Sequence, residues 1–189
     1  MNVNKDGKRA KCYTLKDDKQ FPESLADNNF EVYFHGTEHT GARQIIEKGI
    51  RLTVGKPGQD FSSDDGFYLF QTFEEALDWA GSKHGRNSAV LCFRVNKTEL
   101  RGDNNDKGLD LRGNKQQWEE LVSKFWQGKK KSIIKEIGHY DFIEGPEASW
   151  SRRRLHKPLQ NNGTYQLCVR QNRCARLFDR SLNSVVFFE

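Results

Sequence analysis

Three short segments hold residue types that could bind and turn over a ligand. In the first, Tyr33-Phe-His35-Gly36-Thr37, a histidine ends an apolar run and a glycine follows it. Glycine lets a ligand approach the backbone closely and leaves its N–H and C=O free to bind it. The second is Gly66-Phe67-Tyr68-Leu69, which runs on to Trp79. Tyr68 and Trp79 stand eleven positions apart, so a strand end and the next helix could bring both rings to one cleft. The third is Thr164-Tyr165-Gln166-Leu167-Cys168-Val169, where a polar Gln166 opens an apolar strand. Its amide carbonyl can accept a hydrogen bond from a hydroxyl. Taken singly, each segment also fits a plainer role: a structural histidine, two core aromatics, an ordinary strand start.

The elements that must carry these residues follow from period and punctuation. Glu31 to His35 reads as a short strand. Ala42, Ile45 and Ile46 recur at helical spacing, and Gly49 stands where a helix is capped. Residues 53–65 read as a loop rich in Gly, Ser and Asp, and Gly66 to Phe70 as a buried strand. Thr72 with Glu75 three positions on is a capping-box pattern; Phe73, Ala76, Leu77 and Ala80 give that helix an inner face. Ala89 to Val95 reads as a strand and residues 101–115 as a polar loop. Trp118, Leu121, Val122, Phe125 and Trp126 mark an amphipathic helix. The final third reads as a strand at Tyr140 to Ile143, a long loop to Gly163, and a strand from Thr164 to Arg170. A helix near Asn172 to Phe178 and a strand from Ser184 to Phe188 follow. Helices and strands mix without regular βαβ alternation, which predicts an α+β domain over residues 30–189 with a mostly antiparallel sheet. Residues 1–29 show no sustained period and read as a polar N-terminal extension.

Composition narrows the class. Among 189 residues, 13 Phe and 4 Trp supply the bulk for one sizeable core. No apolar run approaches the roughly 18 residues of a membrane span, and the charged N-terminus lacks the apolar segment of a secretory signal. The four cysteines, Cys12, Cys92, Cys168 and Cys174, form no C-x-x-C pair. A reducing intracellular setting, cytoplasmic or nuclear, is therefore expected, with no metal site, no membrane partner and a monomeric chain. No G-x-G-x-x-G follows a strand, and there is no P-loop, H-E-x-x-H or G-x-S-x-G. The net charge of +5 is uneven: Lys129, Lys130, Lys131 and Lys135 form one cluster, Arg152, Arg153, Arg154 and Lys157 another. Such runs are either solvated faces or attractors of polyanions such as nucleic acid.

In order and spacing, the three segments resemble the three-part signature of the ADP-ribosyltransferase fold, in its diphtheria-toxin and poly(ADP-ribose) polymerase-like branch. That branch carries His-Gly-Ser/Thr on one strand, Gly-hydrophobic-Tyr on a second and a catalytic Glu on a late strand. His35-Gly36-Thr37 matches the first part and Tyr68 the second; Trp79 falls where the branch places another aromatic. A closer likeness is to a poorly characterised, mainly bacterial family of the same fold, over about residues 32 to 180. It rests on Phe34-His35-Gly36-Thr37, Ala42, Ile45, Gly49-Ile50, Asp60-Phe61, Gly66-Phe67-Tyr68, Ala76 and Trp79-Ala80. Tyr140-Asp141, Gly145-Pro146 and Tyr165-Gln166-Leu167-Cys168 extend it.

The resemblance implies a split antiparallel sheet around an NAD cleft, and an NAD-dependent mono-ADP-ribosyltransferase. His35 would donate to a ribose hydroxyl, Gly36 would bond the carboxamide through its backbone, and Thr37 would complete that NAD-binding strand. Tyr68 and Trp79 would sandwich the nicotinamide, whose pyridinium charge suits aromatic faces by about 1–2 kcal/mol. Gln166 would act beside His35 and Tyr68 in catalysis, in the place where the polymerases carry Glu and the closer family tends to Gln. Breaking the nicotinamide–ribose bond builds positive charge on the ribose, and Gln supplies an acceptor but no charge. Losing one such group costs on the order of 3 kcal/mol at the transition state, roughly a hundredfold in rate. The loop before the late strand often chooses the acceptor in related transferases. Here it holds Trp150, Arg152, Arg153 and Arg154, which suit a DNA or RNA acceptor as well as acidic side chains of a protein. NAD glycohydrolysis, and a silent module binding NAD, ADP-ribose or nucleic acid, are the alternatives.

Overall fold

Apolar residues fill Ala89 to Val95 almost without interruption, as a strand covered on both faces requires. The computed structural model makes this segment the middle of a strand buried along most of its length. The structure describes residues 2–3, 9–15, 25, 27–54, 59–63, 65–149 and 158–189. Among them are nine strands: β1 (Asn2–Val3), β2 (Arg9–Leu15), β3 (Phe30–Glu38), β4 (Phe67–Phe70), β5 (Ser88–Asn96), β6 (Gly108–Asp110), β7 (Phe142–Ala148), β8 (Gln160–Val169) and β9 (Leu182–Phe188). Six α-helices flank them: α1 (His39–Lys48), α2 (Phe73–His84), α3 (Lys97–Arg101), α4 (Lys115–Trp126), α5 (Lys130–Ile137) and α6 (Asn172–Arg180). Pairing is mostly antiparallel, as in the α+β class; β2 with β9 and β6 with β7 are parallel pairs.

The chain divides into two compact units. The first joins Met1–Ile50, Leu69–Leu100 and Ala175–Glu189; the second joins Arg51–Tyr68 and Arg101–Cys174. In the first unit the strands run β1, β2, β9, β5, β3, β4. The register of β3 on β5 sets His35 opposite Leu91 and Gly36 opposite Val90. Phe34, Phe70, Phe73, Ala76, Val90, Cys92 and Val186 form one buried cluster under α2. Tyr33 and Phe93 both meet Phe178 of α6 edge-on. Both helix ends anticipated in this unit are built as the residues suggest. Thr72 accepts from the Glu75 N–H while the Glu75 carboxylate accepts from the Thr72 N–H, and Gly49 closes α1 at φ +77°. The expected extension contains a strand that belongs to this unit: β2 lies parallel to β9, with Cys12 opposite Val185. Of the four cysteines, Cys12 is exposed and the other three are buried.

The second unit pairs β8 with β7 and β7 with β6. Its core is the apolar face of α4, with Trp118, Leu121, Val122, Phe125 and Trp126 packed on Phe61, Ile133, Ile143 and Cys168. The Trp118 indole donates to the Pro146 carbonyl at 2.8 Å, so this large ring is buried with its N–H satisfied. Glu144, 2% exposed, is paired by Arg101 at 2.6 Å and by Arg112 at 3.4 Å. Two expected loops are shorter here: β6 interrupts residues 101–115, and β7 and β8 reach to Ala148 and back from Gln160.

Candidate active site

Residues of one strand two apart share a face. On β8 this puts Gln166 and Cys168 side by side, and the loop from Asp60 to Ser62 covers that face. The Gln166 Nε2 donates to Asp60 Oδ2 at 2.7 Å. Asp60 is 4% exposed and accepts two further bonds, from the Ala148 N–H at 2.9 Å and the Trp126 indole at 3.1 Å. No cationic side chain pairs with it among the described residues. Burial therefore dominates: it lifts the Asp60 carboxyl from its ordinary 3.8 to about 6, against the three donors that favour the anion. At pH 7 most of the molecules carry a buried negative charge there.

That charge fixes which way Gln166 points. An ionised carboxylate only accepts, so the amide must offer it the NH2 end. The carbonyl oxygen is left over, and it has no hydrogen-bond partner among the described residues. Gln166 itself is 7% exposed. Tyr68 enters the same unit from β4. Its hydroxyl accepts from the Phe61 N–H at 2.9 Å and pairs with the Ser62 hydroxyl at 3.0 Å. Burial holds that phenol well above its ordinary pKa of 10.0, so it stays protonated. The Cys168 thiol beside it is pushed up to about 12 by burial, which makes it an unreactive neighbour.

The first unit carries His35, Gly36, Thr37 and Trp79. His35 and Thr37 are half-buried on β3. Gly36 has a packing reason to be glycine. A Cβ there would penetrate the Ala76 carbonyl oxygen and lie 3.1 Å from the Ala80 methyl, because α2 crosses β3 at this point. Trp79 is 38% exposed on α2, its ring 6.2 Å from that of His84.

The structure thus brings Tyr68 and Gln166 into one unit, and His35, Gly36, Thr37 and Trp79 into the other. The proposed acceptor residues Trp150, Arg152, Arg153 and Arg154 lie outside the described residues. Asp60 was not singled out for chemistry, although Asp60-Phe61 belongs to the family pattern. Its partner lies 106 positions away, so local sequence gives no sign of the bond. Among the described residues no group of three or more His, Cys, Asp or Glu could hold a metal, and no helix is long and apolar enough to cross a membrane. No protein-family model, no curated protein and no solved structure matches this chain.

Proposed function

We propose that this chain is a mono-ADP-ribosyltransferase built on an ADP-ribosyltransferase-like fold. It takes NAD, breaks the bond between nicotinamide and ribose, and passes ADP-ribose to a macromolecular acceptor. The observation that supports this best is the orientation of Gln166. Its NH2 is committed to Asp60, so its carbonyl oxygen is presented as an acceptor of fixed direction, the property needed to hold a ribose hydroxyl. In this reading Tyr68 of the second unit stacks on the nicotinamide. The roles it gives to the first unit's His35, Gly36, Thr37 and Trp79 are contacts to NAD through the imidazole, the strand backbone and the indole ring. Tyr68 contributes its ring face, since its hydroxyl is engaged with Phe61 and Ser62. The acceptor is a nucleic acid or a protein, met by Trp150 and Arg152 to Arg154.

A second reading, a module that binds NAD or ADP-ribose without turning it over, is favoured by one observation: the residue in the carboxylate's place is an amide. Nicotinamide release separates the two. The full chain, mixed with NAD, should release nicotinamide, and adenine-labelled NAD with cell lysate should leave label on material sensitive to nuclease or to protease. Label on neither, with nicotinamide still released, makes water the acceptor and the protein a glycohydrolase. Gln166→Ala should lower kcat about a hundredfold and change NAD affinity only a few-fold, because the interaction is made at the transition state. Equal turnover in the Ala variant would leave Gln166 as a plain strand residue.

A further inference from the structure

We propose that Asp60 is a positioning residue whose buried charge, relayed through the Gln166 amide, replaces the carboxylate that Gln166 lacks; this rests on the NAD-cleaving reading above. The geometry has three parts. Asp60 stands one hydrogen bond of 2.7 Å behind Gln166. Its two oxygens accept three N–H bonds, from Gln166, Ala148 and Trp126, which hold the carboxylate in one orientation behind the Gln166 amide. No cationic side chain neutralises it among the described residues. A fixed, unneutralised anion in a low-dielectric interior acts on positive charge over several ångströms. The group that develops such charge is the ribose held by the Gln166 carbonyl. Polarisation along the chain of bonds also makes that carbonyl a stronger acceptor.

The step itself balances without Asp60 changing state. The bond from ribose C1′ to the nicotinamide nitrogen breaks, and its electron pair stays on that nitrogen, which becomes neutral. An oxygen of water or of the acceptor bonds to C1′, and the proton it loses goes to solvent. Asp60 remains an anion throughout. Among the described residues, the titratable groups that face it are Glu147 of β7 and Tyr68 of β4, with the Tyr68 phenol neutral over the working range.

The test is nicotinamide release by the full chain between pH 5 and pH 8.5, for the parent, Asp60→Asn, Gln166→Glu and the double variant. The parent should lose about tenfold in kcat as Asp60 protonates, with a midpoint near its carboxyl pKa of about 6. Asp60→Asn should lower kcat ten- to hundredfold, with KM within a few-fold, and should abolish that inflection. An inflection from a histidine would survive the change. The double variant Asp60→Asn with Gln166→Glu moves the charge to position 166 and leaves an amide to donate to it. It should recover at least tenfold over Asp60→Asn. Gln166→Glu alone sets two carboxylates at hydrogen-bond distance, which must share a proton, and should be less active near neutrality than the double variant. Turnover in Asp60→Asn like the parent's, an unchanged pH profile, or no recovery in the double variant overturns the inference. Should Asp60→Asn lose its cooperative melt, the parent's pH profile and the double variant decide. The two failures look different. A parent that neither binds NAD nor releases nicotinamide at any pH overturns the NAD reading and this inference together, whereas an active parent with an equally active Asp60→Asn overturns only the inference.

Discussion

A buried carboxylate that no cation pairs among the described residues works against the fold that holds it. The Asp60 carboxyl rises from 3.8 to about 6 on folding, so the native state binds its proton more tightly than the unfolded chain does. Its contribution to stability is greatest below about pH 4, falls as pH rises through about 6, and is flat above. The shift corresponds to about 3 kcal/mol. Urea unfolding of the parent and of Asp60→Asn at pH values from 4 to 7 isolates this group, because the Asn variant has no proton to lose there. The parent should lose about 2 kcal/mol relative to the variant over that window. A difference that stays constant with pH would mean that Asp60 is not held as described. Proteins keep such costs at sites that work.

Helix α2 lies on β3 so closely that Gly36 serves packing whatever else it does. Gly36→Ala should lower stability by about 3 kcal/mol, since the obstruction is a helix carbonyl rather than a movable side-chain tip. A thermal melt checks this, and an unshifted midpoint would mean that α2 does not cross β3 at Ala76. Loss of NAD binding in this variant must be read beside its loss of fold. The same stretch shows which elements were open to sequence reasoning. The capping box of Thr72 and Glu75, the Gly49 cap and the apolar β5 are specified by residues close together in the chain, and they formed as expected. β2 was missed because the strand beside it, β9, begins at Leu182, so nothing local distinguishes Arg9–Leu15 from a polar tail. α5 was hidden by Lys130 and Lys131, which read as a charge cluster while Ile133 and Ile137 supply the buried face. Gln166 reads as opening an apolar strand, whereas β8 begins at Gln160 and Gln166 lies well inside it. The carboxylate that orients it was not legible, for the reason that hides β2.

The chain passes between its two units at Ile50, Tyr68, Leu100 and Cys174. Neither unit is a continuous piece of sequence, so neither can be obtained with one cut. A fragment of residues 101–174 keeps α4, α5, β7 and β8 but loses Phe61, which is fully buried among them, and Asp60, which satisfies Trp126 and Ala148. Leaving those donors unmet costs about 1–3 kcal/mol each, and the vacated phenylalanine site several more. The fragment should show no cooperative unfolding by circular dichroism and poor amide dispersion by NMR. A well-dispersed spectrum would show that the loop from Arg51 to Tyr68 is dispensable to its own unit. The cysteines have a different use at this level. Cys92, Cys168 and Cys174 are shielded, while Cys12 lies open on β2 beside Val185. A maleimide-borne spin label or fluorophore will therefore attach at one position of the unaltered protein, and its spectrum will report directly on whether the N-terminal strand is docked against β9.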